Sequence, residues 1–222
     1  MTKTEQPKIT IGVVDSLEPT QFALSTLFDL QPDMQVVGVQ RDGEAGLRML
    51  IETRPRVAVV EIDLESRSGF EIASELSMRQ RATKIVFYTT VMSDIYIEQA
   101  VRAKVSGYVL KTDSLATLLD AVQQVANGGC FFSEAVRERI TFDSSTGQMT
   151  AQCESRLTCL SDRQIEVLRH LAVGLSVKDV ARKMHISEKS VDSHKYRIMQ
   201  SLDIHDRVGL ARYAIREGLV CP

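Results

Sequence analysis

The sequence predicts two domains of different class: an α/β domain on a doubly wound, five-stranded parallel sheet, then a small all-α domain of four helices. Three observations carry that expectation. Short apolar runs alternate with segments of helical period through the first part of the chain, a polar stretch without periodicity begins near Asp143, and four helical segments separated by tight punctuation follow it. With 222 residues the chain is long enough for two ordinary domains with cores of their own.

In chain order, "KITIGVV", "MQVVGVQ", "VAVVEI", "KIVFYTT" and "GYVL" read as strands. Between and after them, "QFALSTLFDL", "EAGLRMLIETR", "YIEQAVRAK" and "LATLLDAVQQVANGG" have helical period. Strands that alternate with helices form βαβ units, and in such sheets the functional crevice lies at the carboxyl ends of the strands. Those ends hold Asp15 and Ser16 after the first strand, Glu61 after the third, Thr89 after the fourth and Lys111 after the fifth. In "RVAVVEIDLESRSGFE" a run of buried-strand residues closes on Glu61, and the two-residue strand period puts Asp63 on the same face.

The polar stretch "DSSTGQMTAQCESR" marks a linker, set at residues 134–156 and open to a helical start, between domains at 1–133 and 157–222. "SDRQIEVLRHLAV" then opens with a capping-box pattern, Ser161 followed three residues on by Gln164. "SVKDVARKMH", "SEKSVDSHKYRIMQSL" and "DRVGLARYAIREG" complete the set. Helix, short turn, helix is the helix-turn-helix pattern, whose second helix enters the DNA major groove.

Charge divides the chain at the same place. Residues 1–156 carry 16 Lys and Arg against 21 Asp and Glu, whereas residues 157–222 carry 11 against 8 and hold all four histidines. An acidic domain joined to one that meets a polyanion is the expectation. Cys130, Cys153, Cys159 and Cys221 form no CxxC pair and have no metal-ligand spacing with histidine, which fits a reducing cytoplasm. No apolar run approaches the roughly 18 to 20 residues of a membrane helix, so no membrane partner is expected.

The last 60 or so residues, "LSDRQIEVLRHLAVGLSVKDVARKMHISEKSVDSHKYRIMQSLDIHDRVGLARYAIREGLV", resemble a LuxR-type (GerE-like) DNA-binding domain almost position by position. The first part resembles, more loosely, the receiver domain of a response regulator, through the alternation, "GYVLK", the "GG.FFS" after its last helix and the order of pocket residues. Together they are similar to the NarL/FixJ class, with a flavodoxin-like receiver ahead of a helix-turn-helix. The resemblance implies that an aspartate at the end of the third strand accepts phosphate from a sensor histidine kinase and that two acids after the first strand help bind Mg²⁺.

This sequence departs from that pattern. Glu61 stands at the acceptor position, Ser16 replaces one carboxylate of the acid pair, and Glu65 replaces the usual proline after the acceptor loop; Thr89, Lys111 and the aromatic switch position, Tyr108, match. The neutral Ser16 hydroxyl removes a full charge from a Mg²⁺ site, and the extra methylene of Glu61 displaces a group whose placement sets the rate of in-line transfer. No cofactor is therefore expected, with Mg²⁺ binding disfavoured. Three readings of Glu61 remain open: an internal ion pair with Lys111 in a fixed pocket of a dimerisation or docking module, a negative charge that attracts Thr89 and biases the domain toward its active state, or a surviving acceptor at Glu61 or Asp63.

With Ser187 as the N-cap of the third helix, Val191, Ile198 and Leu202 form a packing stripe, and Lys189, Ser193, Tyr196 and Gln200 lie opposite, flanked by Asp192 and Arg197. Lys189, Ser190, Asp192, Ser193, His194, Lys195, Tyr196 and Arg197 are the candidate DNA-binding residues. Ser193, Lys189 and Gln200 suit base edges, while Arg197 and Lys195 suit phosphates. The resemblance implies a lysine directly after the valine, where this sequence has Asp192, which would accept from a cytosine amino group. His194 either donates to a phosphate or fills the interface. The last helix, with Val208, Leu210, Ala211, Tyr213 and Ala214, corresponds to a surface that contributes to dimerisation in the family.

The expected function is that of a transcription regulator, not an enzyme, which binds double-stranded DNA as a homodimer without conventional aspartate phosphorylation. A conventional phosphorylation-activated regulator, and an interaction protein acting in a heteromer with another regulator, are the alternatives. A sensor kinase or another regulator would be the protein partner.

Overall fold

The computed structural model describes residues 7–79, 82–143, 148–151 and 156–220. They form two compact units, one of residues up to Val91 with Ala100–Glu138 and one of Met92–Gln99 with the residues from Arg139 onward.

Six parallel strands make the sheet of the first unit, in the order β2-β1-β3-β4-β5-β6. They are β1 (Ile9–Val14), β2 (Met34–Gln40), β3 (Val57–Val60), β4 (Lys84–Thr89), β5 (Gly107–Leu110) and β6 (Phe131–Phe132). The first five match the expectation; the sixth is a two-residue edge, too short to show a period. The helices are α1 (Glu18–Asp29), α2 (Gly43–Thr53), α3 (Gly69–Arg79), α4 (Asp94–Arg102), α5 (Leu115–Ala126) and the single turn α6 (Glu134–Arg137).

Alternation along the strands explains the layers. Ile9, Ile11 and Val13 of β1, Val57 and Val59 of β3, Val86 and Tyr88 of β4 and Val109 of β5 face Leu24 and Phe28 of α1 and Leu118, Val122 and Val125 of α5, all buried in one cluster. The intervening residues face the other way. Phe87 meets Phe70 of α3 edge-on at 5.0 Å and Tyr108 of β5 at 6.0 Å. Each fully buried side chain of this size contributes about 1.5–3 kcal/mol of transfer free energy.

Sequence periodicity did not reveal α3, yet its start carries a signal. Ser68 Oγ accepts from the Glu71 N–H while the Ser68 N–H donates to the Glu71 carboxylate, a reciprocal capping box written as S-G-F-E. Gly69 admits the close approach behind it: a Cβ there would lie 2.6 Å from the Glu61 carbonyl oxygen and 2.9 Å from Ile62 Cα.

The stretch read as linker contains an antiparallel hairpin, β7 (Ile140–Asp143) and β8 (Gln148–Ala151), with Ile140 opposite Ala151 and Asp143 opposite Gln148. Residues 144–147 and 152–155 of that stretch, with Cys153 and Cys221, lie outside the described residues. A short 3₁₀ turn (Arg156–Cys159) leads into α7 (Asp162–Ala172), α8 (Val177–Lys183), α9 (Glu188–Leu202) and α10 (Arg207–Arg216), the four helices expected. Among the described residues no helix is long and apolar enough to cross a membrane.

Candidate functional site

The strand order reverses direction at β1 and β3, where a doubly wound sheet opens a crevice at its carboxyl edge. Asp15 follows the last residue of β1, Glu61 follows β3, Thr89 ends β4 and Lys111 follows β5. Asp15, Glu61 and Thr89 are all buried. Between the two acids lies Lys111, whose Nζ is 2.5 Å from Asp15 Oδ2 and 2.8 Å from Glu61 Oε2.

The remaining carboxylate oxygens are also bound. Asp15 Oδ1 accepts from the Leu17 N–H at 2.9 Å, and Glu61 Oε1 accepts from the N–H groups of Ile62 at 2.6 Å and Asp63 at 3.3 Å. The longer glutamate side chain thus folds back on its own loop while its other oxygen holds the lysine. Burial pulls the Lys111 ammonium down, but hydrogen bonds and charge from Asp15 and Glu61 outweigh it and hold its pKa above the ordinary lysine value. Burial likewise raises the Tyr88 hydroxyl, with Lys111 opposing and Asp15 and Asp113 adding to the rise; the Tyr88 ring centroid is 5.8 Å from Lys111 Nζ.

Two candidates depart from this buried group. β3 stops at Val60, so the strand period does not reach Asp63, whose side chain is exposed while Glu61 is buried. The expectation of a shared face is corrected: a loop, not a strand, carries residues 61–68. Ser16 is half-buried, and its carbonyl accepts from Arg41 Nε at 3.4 Å. Thr89 and Tyr108 converge on one residue instead, since Thr89 Oγ1 accepts from the Val91 N–H at 3.2 Å and the buried Tyr108 hydroxyl donates to the Val91 carbonyl at 2.8 Å.

In the second unit, capping defines the helix pair. Ser161 and Gln164 form the expected capping box, Ser176 caps α8, and Ser187 caps α9 by accepting from the Ser190 N–H at 3.1 Å. His185, in the left-handed region at φ 53°, makes the turn between α8 and α9. Two arginines that pattern reading missed hold the turns. Arg163 Nη2 donates to the Met184 carbonyl at 2.7 Å, and Arg207 Nη2 donates to the Leu175 carbonyl at 2.6 Å. Such side-chain to backbone bonds have no periodic signature.

The faces of α9 are as expected. Val191, Ile198 and Leu202 are buried, and Lys189, Asp192, Ser193, Tyr196, Arg197 and Gln200 are exposed, Tyr196 by 66%. Ser190 is half-buried, and its hydroxyl lies 2.8 Å from that of Ser187, so it belongs to the cap as much as to the exposed face. Lys195 Nζ pairs with Asp192 Oδ1 at 2.6 Å. His194 is half-buried; burial first, then the charges of Arg163 and Arg197, push its pKa below the ordinary histidine value.

Comparison with known proteins places both units. The response regulator receiver domain model matches residues 11–123, just over half of the chain, and the model of the luxR family of bacterial regulatory proteins matches residues 158–214. The transcriptional regulatory protein YxjL of Bacillus subtilis is 29% identical over 213 residues, spanning 96% of this chain and 98% of its own. LiaR of the same organism is 27% identical, spanning 96% and 99%. Among solved structures, the RcsB response regulator of Salmonella typhimurium superposes with a TM-score of 0.73 at 19% identity, covering 96% of this chain and all of that one. Salmonella RcsB bound to the rprA promoter with phosphomimetic BeF3- gives a TM-score of 0.67 at 18% identity, covering 93% and 98%. With the receiver and luxR-family models matched in that order, the chain belongs to the two-component response regulators of the NarL/FixJ class.

Proposed function

We propose that the protein regulates transcription by binding double-stranded DNA as a homodimer through α9, under a receiver that works without aspartyl phosphorylation. The observation that carries the receiver reading is the placement of Lys111 between Asp15 and Glu61. A carboxylate held by an ammonium and two backbone N–H groups is not aimed at a phosphoryl donor, and its attack would first have to break those bonds. A Mg²⁺ ion requires several oxygen ligands in near-octahedral array; two carboxylates already bound to Lys111 and to backbone N–H groups, with an uncharged Ser16 beside them, do not fit it. The receiver then serves as a docking module, with Glu61 and Lys111 as a permanent pair. This favours the ion-pair reading of Glu61 over attraction of Thr89, whose hydroxyl accepts from Val91.

For α9, support comes from a capped helix that follows a tight turn and turns Lys189, Ser193, Tyr196 and Arg197 outward while Val191, Ile198 and Leu202 anchor it. RcsB, which has a similar fold, has been solved bound to promoter DNA. Dimerisation by α10 is supported by Val208 and Ile215, apolar side chains exposed by 69% and 38%, whereas Leu210, Tyr213 and Ala214, expected on that surface, are buried.

Intact-mass spectrometry after incubation with Mg²⁺ and a small acyl phosphate tests the receiver reading. No phosphoryl adduct is expected on wild type, Glu61→Ala or Asp63→Ala; an adduct lost in only one variant would identify an acceptor and overturn it. Light scattering at micromolar concentration should give a dimer mass.

A further inference from the structure

We infer that Asp192 and Lys195 form a specificity switch on α9, resting on the DNA-binding reading above: the ion pair withholds Lys195 from phosphates on arbitrary DNA and releases it only where Asp192 finds a cytosine amino group. α9 offers Lys189 and Arg197 as exposed cations and Lys195 as a half-exposed one. One of them is already neutralised, because Lys195 Nζ lies 2.6 Å from Asp192 Oδ1, with both side chains still open to solvent, 35% and 55% exposed. A half-exposed i,i+3 pair of this kind is weak, so a competing partner for either member can break it. A carboxylate repels phosphate oxygens, and among base edges in the major groove the cytosine N4 amino group is the donor it suits. Once Asp192 Oδ1 accepts from that amine, the half-exposed Lys195 ammonium, on the flank of the helix between the packing stripe and the exposed face, has lost its counter-ion, and a phosphate within its reach supplies another. On a sequence without cytosine at that position the pair stays closed, because giving Lys195 to a phosphate would leave the Asp192 carboxylate unpaired beside the polyanion. Binding there uses one phosphate contact fewer and also bears the repulsion of Asp192.

Counterion release makes this measurable, since each phosphate contact adds about 0.9 to the slope of log K against log salt. The full-length protein would be titrated against a random-sequence 30-base-pair duplex and against duplexes that wild type selects from a random pool. On random DNA, Lys195→Met should leave the slope unchanged and Asp192→Asn should steepen it by about one contact, an increase that Lys195→Met added to Asp192→Asn removes. On the selected duplex, Lys195→Met should make the slope shallower by about one contact. Repeating the selection with Asp192→Asn should replace one C·G pair by A·T, because asparagine suits adenine. A Lys195→Met slope that falls equally on both duplexes, or an unchanged selected sequence for Asp192→Asn, overturns the switch and leaves DNA binding standing. Absence of salt-dependent binding by wild type overturns the DNA-binding reading and the switch with it. Circular dichroism of each variant confirms that α9 is intact.

Discussion

Lys111 Nζ lies 2.8 Å from Glu61 Oε2, with both side chains largely withdrawn from water, so Glu61, which we propose stands at the phosphoacceptor position, is one half of an internal ion pair. Its second oxygen, bound to the backbone of Ile62 and Asp63, ties that pair to the loop after β3.

Removing the cation should therefore cost more than its own contacts. Lys111→Met leaves Asp15 and Glu61 buried without a counter-charge, and a loss of about 3–5 kcal/mol is expected in urea unfolding at pH 7. A change below about 1 kcal/mol would mean that water or rearrangement satisfies both acids.

The same pair gives the stability an alkaline edge. The folded-state pKa of Lys111 is raised above the ordinary 10.5, so the stability it contributes is fully present below about pH 10.5 and is lost as pH rises through the raised value. Wild type should lose unfolding free energy above pH 10.5 more steeply than Lys111→Met; parallel curves would contradict the geometry.

His194 sets an acidic edge with the opposite sign. Its folded pKa lies below the ordinary 6.5, so the unfolded chain takes up the proton first, and stability present above pH 6.5 falls as pH drops through the folded value. An NMR titration of the free protein should place His194 below 6.5, and added DNA should raise it if a phosphate approaches.

Gly69→Ala tests how closely α3 backs onto the Glu61 loop. The new methyl group meets backbone at 2.6 and 2.9 Å, neither of which can swing aside, so a loss of about 1–3 kcal/mol is expected. A control at Gly174 meets nothing within 4 Å, and any cost there comes from its φ of +97° alone.

Arg207→Ala removes the guanidinium that donates to the Leu175 carbonyl in the turn before α8. A cost of about 0.5–1.5 kcal/mol is expected, seen as faster amide exchange around Leu175.

Elements with a strong local period were legible in the chain. The five strands β1 to β5, the capping box of α7, the N-cap of α9 and the buried stripe Val191, Ile198, Leu202 follow from patterns that neighbouring residues write together. The two-residue strand β6 and the hairpin β7–β8 were not, because β6 is too short for a period and β7 and β8 lack the continuous apolar run that marks the equally short β3 and β5, so they owe their state to a partner strand. Asp63 shows the limit sharply: extending the β3 alternation by two residues placed it beside Glu61, but β3 ends with its ladder to β4 at Val60, and beyond the ladder the period no longer applies.

The sequence by itself determined the order of the strands β1 to β5 and of the helices α7 to α10, which residues stand at the strand ends, and which face of α9 turns outward, since each depends on spacing along one segment. Only the tertiary structure decided that Lys111 reaches both Asp15 and Glu61, that Glu61 folds back onto its own loop, and that Arg163 and Arg207 hold the turns of the helix pair. The reason is physical: these contacts join segments 50 and 96 residues apart, or side chains to backbone groups with no periodic signature, and chain spacing carries no information about distances closed by packing.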